Sequence, residues 1–430
     1  MDSFLLALSL FLTGAKDRCD IYRKACTPEI LKTLESKDAT YYIVGLHEPL
    51  DRVQGLQEDF INSKMPNDLN AYFQSCTNPD FRRRAEAYLI KQQLASPKPM
   101  PHSALTLRVV EEEEHSDFQE MLKVFFEELG LKDAVRRATE FKGADRDIFD
   151  QLQGRIFLSL PKFSQKRFEF LRKYRGGSKT KPHLRGQCME AMSVMFPGEV
   201  SSYVVDRLPW KKFESRTRSL FSNLKSEYLK VISDEKLGAA EKKKIRTALE
   251  KTSLIIGSKV SSGRRQGQKE ITPETFFAFS QDDLPAEYPL MTNAFYDSQK
   301  NAVYLPAALL QSPLIDEKQD LGIRFILAHE LFHAVRLADV KNPYFLSKER
   351  EWANYFLVHG YPASASEEVL ADEWGLKIAF ATSQMKKEDF LLSWGKLWCA
   401  MIRPEAVTYL KKNFVYPLGK DRVNAVACKL

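Results

Sequence analysis

The chain has 430 residues, 44% hydrophobic and 28% charged, a balance that excludes a disordered chain and a membrane helix bundle. Its formal net charge of +7 permits weak attraction to anionic surfaces but does not imply nucleic-acid binding. A chain of this length can bury one large core or two ordinary ones, so two structural units are expected.

Residues 1–15 (MDSFLLALSLFLTGA) carry an apolar run over 4–12. That run is too short for a bilayer, which needs about 20 residues. Small residues follow it (Thr13, Gly14, Ala15), the layout of a secretory signal peptide. No Lys or Arg precedes the run and Asp2 is acidic, so a buried N-terminal helix is the competing reading. No later segment looks transmembrane. The expectation is a secreted, extracellular protein with no stable membrane anchor. The six cysteines, Cys19, Cys26, Cys76, Cys188, Cys399 and Cys428, suit disulfides in an oxidising compartment, although composition cannot choose their pairing. No CxxC pair is present, which argues against a zinc ribbon.

From about residue 20 to 255 the chain reads as helix after helix. In 111–130, Phe118, Met121, Leu122, Phe125 and Leu129 recur at helical spacing on one face, and four glutamates suit the positive start of that helix. Residues 141–157 and 219–232 are further amphipathic candidates. Residues 257–270 (GSKVSSGRRQGQKE) form the clearest linker. Its basic charge is where a nucleic-acid or acidic-surface contact would be sought. No recognised nucleic-acid module accompanies it, so no nucleic acid is expected as a partner. Next, 293–296 and 302–305 are β-prone runs separated by 297–301, the pattern of a hairpin. A long helix follows over about 319–338. A second runs over about 366–381, with Ser364 and Glu367 spaced as a capping box.

His329-Glu330-Leu331-Phe332-His333 in the first of these helices is an HExxH motif. Positions i and i+4 of a helix share a face, so two imidazoles can bind one Zn²⁺ at about 2.0–2.1 Å each. Glu330 can then reach a metal-bound water as general base without being a ligand. Leu321, Phe325, Ala328 and Phe332 form an apolar stripe on this helix. Buried His and Glu without partners are costly, and a metal offsets that cost. A catalytic zinc usually takes a third protein ligand. Glu368 on the second helix is assigned to it. Asp372, one turn later, would accept the free N–H of a ligating His. Gly375 and Ala379 continue that face and would let the helix approach its neighbour closely. The competing reading takes Glu367, Glu368, Asp372 and Glu373 as a solvated acidic face. His359, in the loop before this helix, is a weaker candidate for ligation.

These residues resemble the neprilysin/endothelin-converting-enzyme family of zinc peptidases. The resemblance rests on Asn293-Ala-Phe-Tyr-Asp with Leu305-Pro-Ala-Ala-Leu-Leu-Gln-Ser-Pro313, on His329 to His333, on Glu368-Val-Leu-Ala-Asp372, and on Trp398-Cys399 with Arg403-Pro404-Glu405. It implies a mainly α (α+β) fold: a thermolysin-like catalytic domain with a small β-hairpin or sheet, plus a reduced helical domain covering the cleft. With the linker, this divides the chain into 1–15, 16–270 (N-terminal segment and reduced helical domain) and 271–430 (catalytic domain). It implies one Zn²⁺ on His329, His333 and Glu368, with Glu330 as general base. Asn293 and the Ala294 backbone would hold the substrate main chain, and Arg422 would grip substrate carbonyls. Short peptides would be cut on the amino side of hydrophobic residues. The N-terminal cysteines resemble the family's, implying Cys19–Cys428, Cys26–Cys399 and Cys76–Cys188.

The chain departs from the family in three ways. Tyr416 aligns where the family has a transition-state-stabilising His; a phenol can donate to an oxyanion, but losing one such donor can lower turnover by about 10²–10³. The helical region and the stretch between His333 and Glu368 are shorter. The family's membrane anchor and terminal Cys-x-x-Trp have no match. These departures keep open a zinc protein that binds peptides or proteins with little turnover. The sequence sets neither the natural substrate nor the oligomeric state.

Overall fold

The computed structural model describes residues 20–37, 41–63, 65–78, 188–189, 192–193, 196–235, 237–257, 288–363, 365–404 and 419–430, with a few isolated positions besides. The expected signal peptide, the stretches at 111–130 and 141–157, and all of the expected linker after Gly257 lie outside the described residues. Ser364, the cap expected for the second helix, also lies outside them.

The architecture is mainly helical with two small sheets. Helices α1 (Ile21–Ala25) and α2 (Pro28–Glu35) lead into β1 (Tyr41–Ile43), α3 (Val44–Asn62) and α4 (Asn67–Thr77). Next come α5 (Pro197–Val205), α6 (Trp210–Asp234), α7 (Ala239–Lys251) and β2 (Ser253–Gly257). The C-terminal part holds β3 (Phe295–Asp297), β4 (Ala302–Pro306), α8 (Leu321–Ala338), α9 (Pro343–Val358), α10 (Ala365–Ala381), α11 (Lys387–Leu397), β5 (Ala400–Ile402) and α12 (Gly419–Ala427). Among the described residues no helix is long and apolar enough to cross a membrane.

Each element follows from its sequence. In α6 the buried residues Phe213, Thr217, Leu220, Phe221, Leu224, Tyr228 and Ile232 repeat every three or four positions, giving one apolar stripe. The stretch 219–232 lies within this helix. By contrast, α8 is buried almost all round, because it is covered by α6, α7, α10 and β3. A helix so enclosed must be apolar on nearly every face, and its few polar groups must find partners.

The hairpin forms where it is expected. Asp297 Oδ1 accepts from the backbone N–H groups of Gln299 (2.8 Å) and Lys300 (3.1 Å), an Asx turn. Asn301 closes the turn with φ of 47°, a left-handed value that asparagine tolerates better than most residues. Its side chain accepts from the hydroxyls of Thr252 and Tyr296 and donates to the Ala248 carbonyl. The turn is thereby fastened to the end of α7. Strand β4 is buried throughout (AVYLP) and sits centrally, with β2 parallel on one side and β3 antiparallel on the other. Among the described residues β3 is the outer strand on that side. The sheet joins residues on both sides of position 270.

The second sheet pairs β1 with β5 antiparallel, Tyr42 opposite Met401. Beside it Cys26 is bonded to Cys399, and elsewhere Cys76 to Cys188, two of the three pairings that the resemblance implies. Closing such long loops stabilises a fold by about 2–5 kcal/mol each. Cys428 is also disulfide-bonded, while its expected partner Cys19 lies outside the described residues. One apolar core draws on residues from Ile21 to Ala427, so the first and last described segments belong to the same packed body as α8 and α10.

Candidate functional site

The site lies where α8 and α10 pack together. Gly375 permits the approach: a Cβ there would stand 3.0 Å from the His329 backbone nitrogen and 3.1 Å from its Cα. Such contacts are tighter than most side chains make, so glycine lets α10 come this near without a shift of the His329 backbone. On the other side, the buried Tyr228 hydroxyl of α6 donates to the Ala328 carbonyl at 2.7 Å. Trp374 stacks on Phe332 and lies parallel to Tyr228. The backbone carrying the first histidine is thus held from two directions.

The structure brings His329, His333 and Glu368 together. One donor atom from each lies within 4.8 Å of the others. His329 Nε2 is 3.3 Å from His333 Nε2 and 3.2 Å from Glu368 Oε2, and His333 Nε2 is 3.8 Å from the same oxygen. Two imidazoles and one carboxylate are the donor set of a three-ligand catalytic zinc site, so the residues fit that metal. His359 stands apart from this cluster: it ends α9, with Nδ1 2.7 Å from the Tyr355 carbonyl.

Asp372 is 0% exposed and lies behind His329, its Oδ1 2.9 Å from Nδ1. Arg422, on α12, closes on the same carboxylate: Nη2 donates to Oδ1 at 2.6 Å and Nε donates to Oδ2. The guanidinium also lies over the Trp398 ring, 3.7 Å from its centre. Burial alone would push the Asp372 carboxyl up, but the Arg422 charge and the hydrogen bonds from His329 and Arg422 outweigh it and hold it below the usual range. An ionised Asp372 accepts from Nδ1–H, which fixes the ring and turns Nε2 toward the cluster.

Burial opposes charge on His329, yet hydrogen bonds to Asp372 and Glu368 raise its pKa to about 10. Burial and the nearby His329 charge lower His333 to about 4. Glu330 is buried beside them and pushed up to about 7 by desolvation, with the Tyr296 backbone N–H donating to its carboxylate. The strand that supplies this N–H is β3, the outer strand of its sheet among the described residues. Asn293 is exposed and Ala294 buried just before that edge. Tyr416 lies outside the described residues. Arg422 is buried, with Nε and Nη2 on the Asp372 carboxylate.

No protein-family model matches the chain. The neutral endopeptidase of Lactococcus lactis subsp. lactis (strain IL1403) is 26% identical to it over 190 residues, 36% of this chain and 30% of that protein. The chain thus resembles the neprilysin/PepO-like zinc metallopeptidases. Identity is low, and the matched part is under a third of that curated relative's length. Two solved structures share the fold. PepO from Lactobacillus rhamnosis HN001 superposes with a TM-score of 0.65 at 14% identity, covering 95% of this chain and 94% of that one. The zinc metalloprotease Zmp1 of Mycobacterium tuberculosis, solved with an inhibitor, gives 0.55 at 17% identity, covering 69% of this chain and 55% of that one.

Sequence reasoning missed the partners that hold the site. Tyr228 lies 100 residues before the carbonyl it binds, and nothing local marks it. The resemblance assigns Arg422 to substrate and does not foresee its bonds to Asp372. A buried carboxylate behind a ligating His does call for a further donor, and that was the available signal.

Proposed function

We propose that the chain is a zinc-dependent endopeptidase that hydrolyses short peptides, with His329, His333 and Glu368 as metal ligands and Glu330 as general base. The observation that carries this reading is the convergence of those three donors around one point, with a buried carboxyl beside them. Zinc, when bound there, supplies a Lewis acid that polarises the scissile carbonyl and activates water. Glu330 takes the proton of the attacking water and delivers it to the leaving amine. Glu330 is buried beside the ligands, within reach of the reacting water.

Asp372 keeps the His329 ring oriented, and Arg422 keeps Asp372 ionised. The β3 edge, entered at Asn293 and Ala294, takes an extended peptide as an added strand. Arg422 and Tyr416 are assigned, on the resemblance, to the substrate carbonyl and the developing oxyanion. Apolar residues near β4 and Phe325 supply a preference for a hydrophobic side chain after the cut. The disulfides support work in an oxidising, extracellular compartment.

The test is Glu330→Gln in the full chain, assayed for zinc content and for digestion of a peptide library with and without chelator. Zinc is expected to stay while chelator-sensitive cleavage disappears. Unchanged cleavage would remove Glu330 from the chemistry. One zinc per chain with no cleavage by the unaltered protein would favour the peptide-binding alternative.

A further inference from the structure

The two histidines face the cluster through Nε2, so each has an Nδ1 pointing away. A ligating imidazole almost always donates that second N–H to a carboxylate, carbonyl or water, and losing this partner commonly costs about 10–100-fold in metal affinity. His329 has Asp372 at 2.9 Å. His333 has no such bond among the described residues. The carboxylate facing its Nδ1 is Glu367, with Oε1 at 4.0 Å.

We infer that Glu367 is the outer-shell partner of His333, a positioning residue that accepts the Nδ1–H when the imidazole takes up metal. Resting on the zinc reading above, this gives a role to a residue otherwise read as part of a solvated acidic face. Glu367 precedes the ligand Glu368 in the first turn of α10, so the two carboxylates reach the site from adjacent positions. Its side chain is 49% exposed and therefore free to turn. Closing from 4.0 Å to about 2.8 Å needs only a rotamer change. Arg336, one turn after His333, is anchored by Glu349 and by the Val340 carbonyl at 2.8 Å. Its charge attracts the Glu367 carboxylate.

The two outer shells then differ in kind. Asp372 is buried and already bonded to its imidazole, whereas Glu367 is half exposed and engages His333 on metal binding.

The experiment is a competition titration of Zn²⁺ against a chromophoric chelator, using the full chain and its Glu367→Ala and Glu367→Gln variants. Thermal unfolding of the metal-free proteins serves as a folding control. Glu367→Ala is expected to weaken zinc binding about 10-fold or more while leaving metal-free unfolding in place. Glu367→Gln, which keeps an acceptor oxygen, is expected to recover most of the loss. Affinity within twofold of the unaltered chain for Glu367→Ala would overturn the inference. So would equal losses for Ala and Gln, since charge alone would then explain them. Failure of the unaltered chain to bind zinc would instead count against the zinc site itself.

Discussion

The wall of the site around His329 and the wall around His333 are built differently, although one helical turn separates them. Behind His329 lie a fully buried Asp372, the Arg422 fork, the Gly375 contact and the Tyr228 hydroxyl one peptide away. Around His333 the neighbouring acids are Glu367, half exposed, and Glu368, partly exposed. The first wall is set by folding and the second is open to solvent. Changes behind His329 should therefore damage stability and metal binding together. Changes around His333 should reach metal binding alone.

The largest expected effect is at Asp372. Asp372→Asn leaves the Arg422 charge buried without its counter-ion, a change expected to cost about 3–5 kcal/mol in denaturant unfolding. A loss under about 1 kcal/mol would show that the pair is not the keystone of this wall. The same variant tests the pH behaviour of the metal-free chain. His329, raised to about 10 in the folded state, adds stability that is fully present below its unfolded value near 6.5 and lost as pH rises through about 10. Asp372, held low, adds stability that is present above its unfolded value and lost as pH falls through the folded one. The advantage of the unaltered chain over Asp372→Asn in chelator should thus shrink between pH 6 and pH 10. An advantage that grows would contradict these assignments.

Gly375→Ala sharpens the comparison further. The added methyl meets His329 backbone, so a loss of about 1–3 kcal/mol is expected, with weaker zinc binding because the first imidazole moves. Full zinc affinity in that variant would mean that the helix spacing does not position the ligand. Tyr228→Phe is milder. It removes one buried hydrogen bond to Ala328, worth about 1 kcal/mol, and thermal unfolding should register it.

Much of this site was legible in the sequence, because its key residues are spaced by helical geometry. His329 and His333 at i and i+4, Glu368 and Asp372 one turn apart, and Gly375 on the same face all follow from 3.6-residue periodicity. The hairpin was legible from Asp297 and Asn301 between two β-prone runs. Helix α9 was not, since only Phe345, Trp352 and Phe356 of its residues are buried, a stripe too thin to stand out. The parallel pairing of β2 with β4 and the reach of Arg422 to Asp372 join distant segments, and no local pattern encodes either. Glu367 was visible only as a charge. Its bearing on His333 depends on how two helices cross.

The most direct test of the central claim is zinc content after exhaustive dialysis, by mass spectrometry of the unaltered chain and of Glu368→Ala. One zinc per chain is expected, with most of it lost when the carboxylate from α10 is removed. No zinc in the unaltered chain, or an undiminished content in Glu368→Ala, would contradict a metal shared between α8 and α10.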